Sequence, residues 1–143
     1  MNELKPGQPY NVLIVDDEKA VSATISFIVK HLGHTVDVVN DGEPALEKIR
    51  QSPGHYQLVI TDHSMLTMDG LMLVDQLKRL HFPGRIMVIS GYLDRKLEAS
   101  YRSFGVDKIM DKPFDPCILR SVIRELTGSP EISPQETAHP VAL

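Results

Sequence analysis

Hydrophobic positions along the chain follow two patterns in turn. Runs dense in Val, Ile and Leu cover residues 11–16, 35–39, 57–62, 85–90 and 106–111. Four of them lack strict apolar–polar alternation, as strands covered on both faces of a parallel sheet do. The fifth carries Asp107 and Lys108 and is placed by its context. Between the runs, apolar residues fall at helical spacing. Over 19–32, Val21, Ile25, Ile28, Val29 and Leu32 make one face. Gly33 follows, where a left-handed cap would sit. A second helix is predicted from Pro44, with Ala45, Leu46 and Ile49 inward after an Asp41-Gly42 turn. A third covers 71–80 with Leu73, Val74, Leu77 and Leu80. The fourth, 93–104, has only a thin stripe of Leu97, Tyr101 and Phe104. Asp115-Pro116 opens the last, an N-cap acid before a first-turn proline. Its apolar face is Ile118, Leu119, Val122, Ile123 and Leu126, and Gly128 ends it.

Strands alternating with helices imply parallel strands joined by right-handed crossovers. We read 11–128 as one domain, 1–10 as an N-terminal extension and the polar, Pro-rich 129–143 as a disordered tail. A length of 143 residues, 42% hydrophobic and 24% charged, suits a single globular domain. No apolar run approaches the ~20 residues of a membrane span, and 1–11 lacks the apolar core of a signal peptide. The lone cysteine, Cys117, cannot form an internal disulfide, which fits a reducing cytoplasm; burial as a small apolar residue is expected for it. A net charge of −4 argues against direct nucleic-acid binding.

In open α/β sheets, ligands sit beyond the carboxyl ends of the strands. The first run ends in Asp16-Asp17-Glu18, the third in Asp62, the fourth in Ser90-Gly91 and the fifth in Lys112-Pro113. The second ends in Asn40-Asp41-Gly42, which reads as a turn and nothing more. Taken alone, the acidic triplet could be the negative start of a helix, and Lys112 a surface lysine. Together they converge on one edge. Clustered carboxylates repel unless a cation joins them. Oxygen ligands favour a hard cation, Mg²⁺ or alternatively Mn²⁺. A carboxylate beside it can attack phosphorus, while lysine and hydroxyl groups neutralise the added charge.

The motifs Val-Asp16-Asp17-Glu, Ile-Thr-Asp62, Met65-x-x-Met68-Asp69-Gly70, Ser90-Gly91 and Lys112-Pro113-Phe114 each stand at or just after a strand end. In that order they resemble the receiver domain of bacterial two-component response regulators, over about residues 12–126. The resemblance implies a flavodoxin-like α/β fold, five parallel strands in order 2-1-3-4-5 with helices on both faces. It implies Asp62 as phospho-acceptor, and Mg²⁺ held by Asp17, Asp62 and the Ser64 backbone carbonyl, with Asp16 acting largely through water. Ser90 would be the switch hydroxyl, Lys112 the phosphoryl-pairing lysine, and Lys112-Pro113 a cis peptide. The donor would be a sensor histidine kinase or a histidine phosphotransfer protein. The output would pass to a downstream protein target, from a monomer or a phosphorylation-dependent dimer.

Three positions depart from the pattern. Leu66 replaces the family's usual proline, which predicts a less rigid loop after Asp62. Ile109 replaces a Tyr or Phe that rotates inward in many members, and Tyr92 is the candidate substitute on the same face. Gly91 replaces a common alanine. His63, next to Asp62, reads as a solvent-exposed loop histidine. Met65 and Met68 read as plugs over the core. His31 and His34 straddle a helix end, which argues against a metal site there. Two rival readings stand beside this one: a turnover phosphatase, which would want a second acid where Ser64 stands, and a receiver-shaped interaction module that takes no phosphate. The complete acid, hydroxyl and lysine set favours a switch over either.

Overall fold

The computed structural model describes residues 7–128, so the predicted tail and the first six residues of the predicted extension lie outside it. Strands β1 (Asn11–Val15), β2 (Thr35–Val39), β3 (Leu58–Thr61), β4 (Arg85–Ser90) and β5 (Lys108–Asp111) alternate with helices. These are α1 (Lys19–His31), α2 (Gly42–Gln51), α3 (Gly70–Arg79), α4 (Arg95–Ser103) and α5 (Pro116–Thr127). The sheet is fully parallel in order β2-β1-β3-β4-β5, as expected for this flavodoxin-like fold.

Successive residues of a strand point to opposite faces, and the two cores follow that alternation. Leu13, Val15, Val59, Ile86 and Val88 face α2, α3 and α4, packing on Ala45, Leu46, Leu73, Leu77 and Tyr101. Val12, Ile14, Leu58, Ile60, Met87 and Ile89 face α1 and α5, packing on Ile25, Val29, Leu119 and Ile123. Both faces of the inner strands are therefore dry, which explains their unbroken apolar runs.

Boundaries differ from the sequence reading at the polar residues. β1 and β3 stop at Val15 and Thr61, leaving Asp16 and Asp62 outside the ladder. β5 starts two residues late, at Lys108. α2 starts two residues before Pro44, because Asp41 caps it by accepting from Gly42 N at 2.6 Å. α5 keeps its predicted ends: Asp115 accepts from Cys117 N, and Gly128 closes the helix at φ 65°, where a side chain would be strained. Two residues expected inward are exposed, Ile118 on α5 and Leu80 at the end of α3. Leu119, Val122, Ile123 and Leu126 fill the inward arc of α5, so Ile118 lies at its margin. Cys117 is also exposed rather than buried. No helix among the described residues is long and apolar enough to cross a membrane.

Candidate functional site

The central strands β1 and β3 pair with Val15 opposite Thr61, so the next residue of each leaves the sheet beside the other. Asp16 N donates to Val39 O, and Asp62 N to Val15 O at 2.9 Å. The ladder thus ends with both carboxylates over one edge. Asp17 and Glu18 follow on the turn into α1. Asp16, Asp17, Glu18 and Asp62 each offer a carboxylate oxygen, all within 4.8 Å of one another. Asp16 and Asp62 are buried, and Asp17 and Glu18 exposed.

Lys112 reaches this cluster from the end of β5. Its Nζ lies 3.1 Å from Asp16 Oδ2, 3.1 Å from Asp62 Oδ2 and 2.9 Å from Glu18 Oε1. Its side chain is only 13% exposed. Burial disfavours an ammonium there, but Glu18, Asp16 and Asp62 outweigh it and hold the lysine well above its usual range. Asp16 is pushed the other way. Its burial raises its carboxyl above the ordinary value, helped by the charge of Asp62 and opposed by Glu18 N and Lys112. The Lys112–Pro113 peptide is cis.

Ser90 ends β4, with its carbonyl accepting from Lys112 N at 2.9 Å. Its hydroxyl is buried and has no hydrogen-bond partner among the described residues. A buried hydroxyl without an acceptor is costly, and such a group is poised to donate to an arriving oxygen. The other predicted residues scatter. Ser64 is exposed in the loop two residues after Asp62. Ile109 is half-buried against the core that α2, α3 and α4 cover. Tyr92 is 85% exposed, so it does not pack in the place of a β5 aromatic. Leu66 is 92% exposed, whereas Met65 and Met68 pack on the core.

Asp41 does more than make a turn. It is buried, and its carboxylate accepts from Thr67 N at 2.7 Å and Met68 N at 2.9 Å as well as from Gly42 N. Burial alone would raise its pKa, but these amides outweigh burial and hold it below the usual carboxylate value. It therefore ties the start of α2 to the loop between β3 and α3. His63 is half-buried rather than solvent-exposed: its Nδ1 lies 2.6 Å from the hydroxyl of Tyr101 on α4. Glu18, read only as part of an acidic triplet, is a direct partner of Lys112. Both Asp41 contacts with the loop and the His63 contact join residues more than 25 positions apart, beyond the reach of any periodic signal. Asp-Gly before a helix was the available clue for Asp41, and a lone aromatic on a thin stripe was the clue for Tyr101.

The donor set is oxygen only and anionic, with one ammonium against four carboxylates. That chemistry fits a hard divalent cation completed by water and phosphate oxygens. Asp16, Asp17 and Asp62 are the residues that would hold it, and Glu18 is near enough to contribute.

The family model for the response regulator receiver domain matches residues 12–124. The chain is 32% identical over 111 residues to chemotaxis protein CheY of Treponema pallidum, a stretch covering 76% of each. It is 30% identical over 105 residues to response regulator ArlR of Staphylococcus epidermidis, covering 73% of this chain and 47% of that one. A CheY-like receiver domain protein from Methanospirillum hungatei has a similar structure, with TM-score 0.76 at 24% identity, covering 82% of this chain and 93% of that one. Other relatives are far longer: the chain spans 10% of the gliding motility regulatory protein of Myxococcus xanthus. From the sheet order, the acids at its carboxyl edge and the match over 12–124, the chain belongs to the response regulator receiver domain family.

Proposed function

We propose that Asp62 is the phospho-acceptor of this receiver, taking its phosphoryl group from a phosphohistidine on a sensor kinase or histidine phosphotransfer protein. The observation that carries this reading is the meeting of Asp62, Lys112 and the unpartnered Ser90 hydroxyl at one sheet edge. In the transfer, an Asp62 carboxylate oxygen attacks phosphorus. The bond from phosphorus to the donor nitrogen breaks, and the imidazole leaves with the electron pair. Lys112, already 3.1 Å from Asp62 Oδ2, pairs with the charge that arrives. Ser90 donates to a phosphoryl oxygen, which gives its hydroxyl the acceptor it lacks. Mg²⁺, or Mn²⁺, bound by Asp16, Asp17, Asp62 and the Ser64 carbonyl would neutralise charge on the transferring group.

The reaction is stoichiometric, one phosphoryl group per chain, rather than turnover of a phosphate ester. Drawing Ser90 toward the phosphoryl group moves the loop that leads into α4. The face built by α4, β5 and α5 then changes for a downstream protein target. The reading places the domain in the cytoplasm, where the lone, exposed Cys117 stays reduced. The test is incubation with Mg²⁺ and a small phospho-donor, followed by intact mass measurement. One phosphoryl adduct is expected, absent from Asp62→Asn. No adduct with any donor overturns the reading.

A further inference from the structure

Tyr101 is the only residue of α4 that is buried, and it is completely so. Its hydroxyl crosses to the loop after β3 and meets His63 Nδ1 at 2.6 Å, with the two rings edge to face at 5.7 Å. Gly70 makes room for it. A Cβ at that position would lie 2.5 Å from the Tyr101 hydroxyl and 2.4 Å from the Asp62 carbonyl oxygen. The hydroxyl and the carbonyl oxygen of the acceptor residue therefore crowd the same side of Gly70. A buried phenol needs a hydrogen-bond partner, and the one it has here is the residue directly after Asp62. The same residue is bonded to the acceptor from its other side, since His63 N donates to Asp62 Oδ1 at 2.7 Å. Meanwhile β5 carries Ile109 where an inward-rotating aromatic would be expected.

We propose that Tyr101 is a positioning residue whose hydrogen bond to His63 links the Asp62 loop to α4, so that phosphorylation at Asp62 reaches α4 through this pair. The inference rests on Asp62 being the phospho-acceptor. Phosphorylation loads one oxygen of Asp62 and alters the acceptor strength of the other, which His63 N holds. A shift of the 62–63 backbone then changes the Tyr101 contact, and α4 has no second buried side chain to absorb that change. Tyr101→Phe keeps the ring and its packing but cuts the link. His63→Ala cuts it from the other end and leaves the residues of α4 unchanged.

The experiment is amide hydrogen exchange across residues 95–103, with and without Mg²⁺ and beryllofluoride. It compares wild type, Tyr101→Phe, His63→Ala, the double variant and His63→Asn. Wild type is expected to change its α4 exchange on loading. Each single variant is expected to lose about fivefold of that change, the factor equivalent to about 1 kcal/mol for one hydrogen bond. The double variant should lose no more than either single one, because both remove the same bond. His63→Asn, which keeps a polar atom near the Nδ1 position, should restore most of the response; a merely structural role for the ring would not. A wild-type α4 that ignores loading, singles that respond as wild type does, or losses that add in the double variant overturn the proposal. A wild-type chain that forms neither the phosphoryl adduct nor the beryllofluoride complex overturns the acceptor reading as well, which separates the two failures.

Discussion

Asp62→Asn is expected to stabilise the metal-free protein although it removes the ion pair with Lys112. The buried carboxylates of Asp16 and Asp62 lie within 4.8 Å and share one ammonium. At an effective dielectric of about 20, two unit charges at that separation repel by about 3.5 kcal/mol, and Lys112 attracts Asp62 by about 5 kcal/mol. Asp17 and Glu18 are exposed, so water screens their repulsion to no more than ~1 kcal/mol each. Attraction and repulsion nearly cancel at Asp62. What is left is the cost of holding a carboxylate out of water, several kcal/mol per ion before partners are counted. The Asn oxygen can still accept from His63 N, so the variant keeps that bond. We expect a net gain of about 1–2 kcal/mol, which moves the urea midpoint up by roughly 0.5–1 M for a domain of this size. The assay is urea unfolding in EDTA and again in saturating Mg²⁺. A cation bound to the folded state at 100 times its Kd adds about 2.7 kcal/mol. Wild type should receive most of that and the variant, one acid short, much less. A variant less stable than wild type in EDTA, or equal gains from Mg²⁺, would refute the reasoning.

Three further outcomes follow from single residues. Asp41→Ala leaves the Gly42, Thr67 and Met68 amides without their acceptor and should cost about 1–3 kcal/mol at neutral pH. Because the folded-state pKa of Asp41 is depressed, its contribution is present above about 3.8 and lost as pH falls through the folded value. Urea unfolding should therefore show the wild type and variant converging in acid, and a constant difference counts against it. His34 is buried, accepts from Tyr10 N, and is held below its usual pKa by burial. Its contribution is complete above about 6.5 and falls as pH drops below that, so His34→Gln should flatten the stability slope on the acid side of 6.5; unchanged slopes would contradict it. Gly70→Ala forces a Cβ against the Asp62 carbonyl and the Tyr101 hydroxyl and should cost about 1–3 kcal/mol, read as a fall in Tm. A neutral substitution there would show that the approach is not tight.

The order of elements and the convergence of the strand-end polar residues are legible in the sequence because both follow local rules. Val12–Val15 and Ile86–Ile89 are buried on both faces of the sheet, which a continuous apolar run reports directly. Asp16, Asp62, Ser90 and Lys112 each stand at a strand's carboxyl end, and parallel topology brings such ends together wherever they lie in the chain. Ile118 and Cys117 depart from the expected burial because they sit at the margin of the α5 face, where one step of 100° decides burial. The contacts of Asp41, His63 and Tyr101 were out of reach for another reason. A hydrogen bond between a side chain and an amide 26 positions away leaves no period in the sequence, and a polar residue in a loop looks the same whether it is solvated or paired.

Those illegible contacts bear on the departure at Leu66. A proline there would stiffen the loop after Asp62 through its own fixed φ. Leu66 supplies no such restraint and projects into solvent. The loop is instead tethered on both sides of it. Asp41 holds the amides of Thr67 and Met68 from α2. On the other side Tyr101 holds His63 from α4, and Gly70 N donates to His63 O at 2.8 Å. Stiffness that a proline provides locally is here provided by two neighbouring helices. The difference matters for a switch: a proline restrains the loop whatever the rest of the domain does, whereas these tethers transmit. If Asp62 is the acceptor, as proposed, a shift at Asp62 would reach α4 through His63 and Tyr101, and by reciprocity a partner bound at α4 would act back on Asp62 through the same coupling.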